Sequence, residues 1–160
     1  MKPLSAGVSV ERLSLHREHM PLIADWFRSE WPLWYGPGGA GDADADLARY
    51  AQAGPAVPVG LVALRGGQPC GFGALKEQGV PPSSPLRPWA GAGYVPPALR
   101  GQGLGAWLLR ALVREAAGLG FEHVYCATRS AQSLLLREGW QAIETVLQGD
   151  ERLTVFRSVR

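Results

Sequence analysis

The chain is 160 residues long, enough to bury a substantial core unaided, so we expect one domain over residues 1–160. Apolar residues make up 46% of it and charged residues 19%, a composition that excludes a disordered chain. The formal net charge is only +2 and the basic residues are scattered, so we expect no nucleic-acid partner.

The cysteines and the apolar runs exclude several further classes of protein. Cys70 and Cys126 stand apart, without the CxxC or Cys/His spacing of a zinc site, so we expect no metal and reduced thiols in a cytoplasmic protein. The first residues, MKPLSAGVSVERL, lack the apolar centre of a secretion signal. No apolar run approaches the roughly 18 residues of a membrane span, so we expect no membrane partner.

The first third of the chain contains one strand pattern and two helix patterns. Residues 7–15 alternate in polarity, which predicts a strand. Residues 17–31 carry apolar side chains at helical spacing and predict a helix that Pro32 ends. Asp42 is a suitable N-cap for a second helix over residues 43–53.

The middle of the chain is rich in strand patterns. The run AVPVGLVALRGGQPCGFGALKE divides at Gly66 and Gly67 into two β-rich segments, which predicts a hairpin. Residues 89–95, WAGAGYV, predict another strand, and Pro96 and Pro97 stop it.

The last third of the chain alternates between helices and strands. An apolar stripe predicts a long helix ending at Gly118 or Gly120, and residues 123–128 predict a short strand. A short helix then ends at Gly139, and a hairpin about Gly149 completes the chain. The predicted order, β-α-α-β-β-β-α-β-α-β-β, favours an α/β (mixed α+β) fold with helices on the faces of a mixed sheet.

A cluster of glycines lies where the long helix begins, in the segment RGQGLGAWLL. Glycine is a poor helix residue, so Gly101, Gly103 and Gly105 must serve another purpose. A strand, a glycine-rich turn and a helix N-terminus together form an anion site, because free amides point outward and the helix dipole favours negative charge. The sequence therefore predicts a phosphate-binding turn.

Two common nucleotide motifs fit this turn poorly. A P-loop requires a following Gly-Lys-Ser/Thr, which is absent. Gly101, Gly103 and Ala106 do satisfy a dinucleotide fingerprint, which keeps a nucleotide-dependent oxidoreductase as a hypothesis. However, the next strand ends in Thr128 where an acid would bind the ribose, and too little chain follows for a nucleotide fold.

The segment YVPPALRGQGLG resembles the signature of the GNAT family of N-acetyltransferases, V-x-P-x-x-[RQ]-G-x-G-x-[GA]. The signature positions are occupied by Val95, Pro97, Arg100, Gly101, Gly103 and Gly105. The later segment SLLLREGW is similar to the family's tyrosine-to-Gly-aromatic ending. This resemblance implies a central, mostly antiparallel sheet of about seven strands flanked by about four helices.

The resemblance also implies acetyl-CoA as co-substrate, without a metal. The residues expected to contact it are Tyr94, Val95, Arg100, Gly101, Gln102, Gly103, Leu104, Gly105 and Ala106. In the family, an amine attacks the thioester directly and a backbone amide, here near Val95, stabilises the oxyanion. Cys126 is then a packed strand residue and not a nucleophile.

The sequence offers two candidates for the general base and several for the general acid. The residues nearest to where relatives carry a general base are Glu77 and Glu30, and each is alternatively a solvated surface acid. Leu135 stands where relatives usually have a tyrosine that protonates the leaving thiolate. Water, Ser130 or Ser133 could replace that hydroxyl.

The acceptor side is expected in residues 30–46, because the corresponding loop covers the acceptor in this family. The candidate residues are Trp31, Trp34, Tyr35 and Asp42. The aromatic rings could face a cation that the acids attract, or the rings could be core and the acids could start a helix. The lack of periodicity and the glycines predict an irregular, mobile flap.

The leading functional hypothesis is an acetyl-CoA-dependent N-acetyltransferase acting on a primary amine of a small molecule or peptide. The main alternative is a non-catalytic acyl-CoA-binding or sensor protein with a degenerate active site. A homodimer stays an open alternative to a monomer.

Overall fold

The computed structural model of the chain describes residues 7–159, so residues 1–6 of the predicted domain and of the N-terminal stretch lie outside the described residues, as does residue 160. The strands are β1 (Val8–Arg12), β2 (Val59–Arg65), β3 (Gln68–Lys76), β4 (Trp89–Tyr94), β5 (Tyr125–Thr128), β6 (Gln141–Gln148) and β7 (Glu151–Arg157). The helices are α1 (Met20–Glu30), α2 (Pro32–Tyr35), α3 (Ala43–Tyr50), α4 (Leu104–Gly118) and α5 (Gln132–Arg137).

The strands form one seven-stranded sheet in the order β1-β2-β3-β4-β5-β7-β6. All neighbours pair antiparallel except β4 and β5, which run parallel. Both predicted hairpins are present, β2–β3 through Gly66-Gly67 and β6–β7 through Gly149. The predicted mixed α/β fold is confirmed, with one more helix than expected because α2 was not foreseen.

Strands β2 and β3 are buried on both faces, and strand alternation directs their side chains to opposite sides of the sheet. Val62 and Phe72 face one core with α1 and α3. Leu61 and Leu75 face the other core with α4. Glycine in β3 allows α4 to lie close to the sheet, since a Cβ added at Gly71 would lie 2.9 Å from Leu108 Cδ1.

Several predicted boundaries shift in the structure. The first strand ends at Arg12, because the chain turns into a 3₁₀ helix at Leu13–Leu15. The first predicted helix begins at Met20, after another 3₁₀ turn, and ends at Glu30. The second begins where predicted but ends at Tyr50 instead of residue 53.

Pro32 was predicted only to end a helix, and it also begins the next one. It occupies the first turn of α2, where its missing N–H is not needed and its fixed φ suits a helix. The amide of Tyr35 donates to the carbonyl of Trp31 at 2.8 Å, and that of Gly41 to Trp34 at 2.8 Å. The segment predicted to be irregular therefore contains a short helix and a hydrogen-bonded turn.

Strand β4 is irregular at the point where it leaves its neighbours. Its register against β3 shifts by one residue between Gly91 and Tyr94, which is a β-bulge, and Ala92 adopts a φ of +53°. Against β5 it forms a single residue pair, Trp89 with Tyr125. The two parallel strands therefore diverge beyond that pair, in the middle of the sheet.

Within residues 7–159, no helix is long and apolar enough to cross a membrane. The same part of the chain brings together no group of three His, Cys, Asp or Glu side chains that could hold a metal ion.

Candidate functional site

The divergence of β4 from β5 opens a first cleft in the sheet, about 490 Å³ in volume. Tyr94 and Val95 line the β4 side, and Ala127 and Thr128 line the β5 side. The strand edges here have no partner strand, because only Trp89 and Tyr125 pair. An extended ligand could therefore lie between the strands and use their main-chain groups.

A second cleft, about 940 Å³ in volume, lies at the start of α4. Its walls are the glycine-rich turn and α5, and it shares Val95, Arg100 and Gly105 with the first cleft. Helix α4 has 15 residues, so its N-terminal amides and dipole face this cleft with a partial positive charge. The arrangement suits an anion next to the extended slot.

The three glycines of the turn serve two different purposes. Gly101 and Gly103 have φ of +80° and +85°, a backbone conformation that side chains other than glycine rarely adopt. Gly103 is the N-cap residue of α4, so the helix starts directly from a left-handed turn. Gly105 lies inside the helix, where an added Cβ would lie 3.3 Å from Leu134 Cδ2 and would crowd the approach of α5.

Arg100 connects the two clefts and reaches the end of α1. Its Nε donates to the carbonyl of Val95 at 2.7 Å, and its Nη2 donates to Glu30 Oε2 at 3.2 Å. Its guanidinium lies 5.6 Å from the centre of the Tyr94 ring, a cation–π contact. Glu30 itself lines the first cleft, so a carboxylate and a guanidinium meet at its mouth.

The sequence model of the Acetyltransferase (GNAT) family matches residues 20–136, well over half of the chain. The chain belongs to the GNAT acetyltransferase family. No curated protein sequence matches it significantly. The resemblance inferred from the glycine-rich turn is thereby confirmed.

Solved structures share the fold of this GNAT chain at low sequence identity. An aminoglycoside 6'-N-acetyltransferase complexed with coenzyme A has a TM-score of 0.73 at 12% identity, covering 94% of this chain and 96% of its own. An acyl-CoA N-acyltransferase from Pseudomonas aeruginosa has a TM-score of 0.63 at 21% identity, covering 95% and 98%. The Salmonella typhimurium protein yncA with acetyl-CoA has a TM-score of 0.67 at 18% identity, covering 95% and 92%.

Most of the residues expected to contact the coenzyme line one of the two clefts of the GNAT chain. Those in the clefts are Tyr94, Val95, Arg100, Gly101, Gly103, Leu104, Gly105 and Ala106. Gln102 differs, because its side-chain oxygen accepts two long hydrogen bonds, both 3.4 Å, from Arg65. Gln102 thus ties the turn to the end of β2.

The two candidate general bases lie in different surroundings. Glu30 lines the first cleft and forms an ion pair with Arg100. Glu77 follows β3, forms an ion pair with Arg87 at 2.7 Å and lines neither cleft. Of the two carboxylates, only that of Glu30 could reach a substrate in the cleft.

The aromatic residues of the acceptor segment divide between core and surface. Trp31 lines the first cleft and packs edge-on against Phe27, with ring centres 5.5 Å apart. Tyr35 stacks on Phe27, and its hydroxyl donates to Asp46 at 2.6 Å. Burial and the neighbouring carboxylate raise the pKa of the Tyr35 phenol well above its usual value. Trp34 lies on the outer surface and is 53% exposed.

The acids of the acceptor segment have structural partners. Asp42 caps α3, because its carboxylate accepts from the amide of Ala45 at 3.0 Å, as the sequence predicted. Asp44 accepts from Arg28 at 2.8 Å. Neither acid lines the first or the second cleft.

The groups around the inner end of the first cleft are mostly apolar. Leu135 lines the cleft, has no exposed surface and packs in the core with Trp140. Burial raises the pKa of the Cys126 thiol to about 11, so at neutral pH this cleft-lining group is protonated and a poor nucleophile. Ser130 lines both clefts.

Several residues around the clefts were given no role in the site from the sequence. Trp26 packs against Tyr94 with ring centres 5.2 Å apart. Arg110 and Arg137 line the second cleft. Arg110 lies one helical turn after Ala106, so the two residues share a face of α4. This spacing is the sequence feature that could have placed Arg110 near the glycine-rich turn.

Proposed function

We propose that this GNAT chain is an acetyl-CoA-dependent N-acetyltransferase that acetylates a primary amine of a small molecule or peptide. The observation that carries the proposal is the single residue pair between β4 and β5, which leaves a cleft leading directly to the start of α4. Coenzyme A has the matching shape, an extended arm with two amides that ends in a pyrophosphate. The two relatives solved with coenzyme A or acetyl-CoA support this choice of ligand.

The residues present fit this coenzyme. Tyr94 and Val95 offer main-chain groups of an unpaired strand edge to the amides of its arm. Gly101 and Gly103 leave the amides at the start of α4 open to the pyrophosphate oxygens. When bound, the coenzyme supplies an acetyl group activated as a thioester.

The acceptor amine must be held and deprotonated at the mouth of the first cleft. An amine is mostly an ammonium ion at neutral pH, and only its neutral form attacks a carbonyl. Glu30 is the carboxylate of this mouth, so we assign it to hold the ammonium and to take its proton directly or through water. Trp31 offers an aromatic wall to the same cation.

The remaining steps need a group for the oxyanion and a proton for the thiolate. We assign the oxyanion to a main-chain amide at the end of β4 near Val95, which needs no side chain. The proton comes from Ser130 or from water, because Leu135 has none to donate. A thiol leaves readily, since cysteine thiols have pKa values of about 8.5.

Turnover of acetyl-CoA with a panel of primary amines, followed by release of free thiol, tests the proposal. We expect turnover with at least one amine, and a lower kcat/KM in Glu30→Gln. Glu77→Gln is the matched control, because it removes a carboxylate outside both clefts, and it should behave as wild type. A defect in Glu77→Gln with a normal Glu30→Gln would contradict the assignment of the base.

One observation favours a second candidate, a non-catalytic acyl-CoA-binding or sensor protein. Leu135 is fully buried and presents only carbon to the cleft where relatives usually have a tyrosine. A protein that has lost the acid could still bind the coenzyme tightly. Tight binding of acetyl-CoA without any thiol release across the panel would select this candidate over the enzyme.

A further inference from the structure

Helix α5 presents a polar face to the second cleft. Ser133 and Arg137 are four residues apart, so they lie one above the other on α5, and both line this cleft. The glycine-rich turn and the start of α4 form the opposite wall. A ligand whose pyrophosphate lies at the turn would therefore have its next groups beside Ser133 and Arg137.

Three arginines line the second cleft, and two of them already have acidic partners. Arg110 donates to Glu138 through Nε at 2.6 Å and Nη2 at 3.0 Å, a bidentate pair whose carboxylate is only 11% exposed. Arg100 is paired with Glu30. The Arg137 side chain forms no hydrogen bond or ion pair within residues 7–159. It is the cation of this cleft whose charge is uncompensated.

The proposed coenzyme carries a second anionic group besides the pyrophosphate that the glycine-rich turn would bind. Coenzyme A has a pyrophosphate and, separately, a phosphate monoester on the ribose 3′ oxygen. A phosphate monoester carries a charge of about −1.5 to −2 at neutral pH. Guanidinium binds such a group well, because its planar N–H donors match two phosphate oxygens.

We propose that Arg137, assisted by the hydroxyl of Ser133, binds the ribose 3′-phosphate and makes the protein select coenzyme A over dephospho-coenzyme A. This inference rests on the proposed function, since it concerns the same coenzyme. The guanidinium of Arg110 is already bound to the carboxylate of Glu138. We therefore assign the preference for coenzyme A over dephospho-coenzyme A to Arg137. Arg137 is exposed and packs in no core cluster, which makes its substitution tolerable to the fold.

Calorimetric titration of the full chain with coenzyme A and with dephospho-coenzyme A tests the proposal without requiring turnover. Wild type should bind coenzyme A about tenfold more tightly, as expected for one charge-assisted contact. Arg137→Ala should lose most of this preference while its affinity for dephospho-coenzyme A stays unchanged. Arg137→Lys should retain part of it, because the charge remains without the planar fork.

Arg114→Ala is the matched control, because Arg114 is an exposed arginine of α4 that lines neither cleft. It should keep the wild-type preference. If wild type binds both ligands equally, or if Arg137→Ala keeps the full preference, Arg137 does not bind the 3′-phosphate. If neither ligand binds wild type, the proposed function itself fails, and the inference fails with it.

Discussion

Gly103 is a position at which the backbone of the proposed phosphate turn favours glycine. Its φ of +85° places it in the left-handed region, and α4 begins at the next residue. A valine here would strain the backbone by about 1–2 kcal/mol and place methyl groups beside the first amides of the helix. We expect Gly103→Val to weaken acetyl-CoA binding severely while the chain still folds, as measured by calorimetry and circular dichroism.

Gly149→Val is the control variant for Gly103→Val, because it strains the backbone in the same way without changing the proposed coenzyme site. Gly149 has a φ of +60° with open space around it, in the β6–β7 turn, and lines neither cleft. This variant should lose similar stability and keep its affinity for acetyl-CoA. Equal affinity losses in the two variants would mean that Gly103 acts only through stability, and wild-type affinity in Gly103→Val would refute the phosphate turn.

Leu135 stands where the resemblance to the family led us to expect a tyrosine. Its side chain is fully buried in the core beside α4, so a tyrosine there would overpack the core and cost about 1–3 kcal/mol of stability. We expect Leu135→Tyr to melt at a lower temperature and to show unchanged or modestly raised kcat. The modest effect follows from a leaving group that Ser130 or water can already protonate.

Leu135→Phe is the control for this substitution, because phenylalanine adds the same ring without a hydroxyl. The ratio of the two kcat values isolates the contribution of the hydroxyl. We expect a ratio near one. A Tyr variant more than about tenfold faster than the Phe variant, a difference of roughly 1.4 kcal/mol in barrier height, would show that wild type lacks an effective acid.

At the scale of elements, β4 and β5 diverge, so hydrogen exchange of their main-chain amides can show whether a ligand lies between them. Only Trp89 and Tyr125 pair, so the amides of β4 and β5 that do not bond to β3 or β7 face the first cleft without strand partners. An extended coenzyme arm that bonds to this edge should slow their exchange with deuterium. We expect acetyl-CoA to protect peptides covering residues 89–95 and 125–128, as measured by hydrogen-exchange mass spectrometry.

Strand β6 provides the internal control for this measurement. It lies at the outer edge of the sheet, beyond β7, and contributes to neither cleft. Exchange in residues 141–148 should be unaffected by the ligand. Protection confined to β6, or no protection around β4, would place the ligand elsewhere than between the strands.

Elements with clear periodicity and turn residues were predictable, and those shaped by packing were not. The β2–β3 hairpin follows from Gly66-Gly67 between two apolar runs, and its turn lies there. The bulge in β4 was not predictable, because the positive φ falls on Ala92 and not on a neighbouring glycine. Strands β4 and β5 are far apart in sequence. No local sequence pattern could therefore predict that these parallel strands separate after a single residue pair.

The short helix α2 shows why the acceptor segment was misjudged. Its four residues are too few to display a helical period, and Pro32 indicates a helix end as readily as a helix start. The cap at Asp42 was predictable, because it depends only on a local preference. The partners of Asp44 and Asp46 depend on how α1, α2 and α3 pack, which the sequence does not display.

At the scale of the whole molecule, the predicted order of elements agrees with the observed one apart from α2, and it favoured the mixed sheet that the structure contains. The proposed phosphate turn could be recognised in the sequence because its glycine spacing is a local pattern. The ion pair between Arg100 and Glu30 joins residues far apart in sequence and could be found only in the folded chain. The sequence placed Glu30 and Glu77 on equal terms, and their different surroundings separate them.

Thermal unfolding of the protein with acetyl-CoA or with NAD is the most direct test of a coenzyme site between β4, β5 and α4. At a hundred times its dissociation constant, a ligand of the native state adds about 2.7 kcal/mol, which raises the Tm of a chain of this size by about 5–10 °C. We expect this rise with acetyl-CoA and none with NAD at the same concentration. A rise with NAD alone would identify a dinucleotide site, and no rise with acetyl-CoA up to millimolar concentration would contradict the coenzyme site.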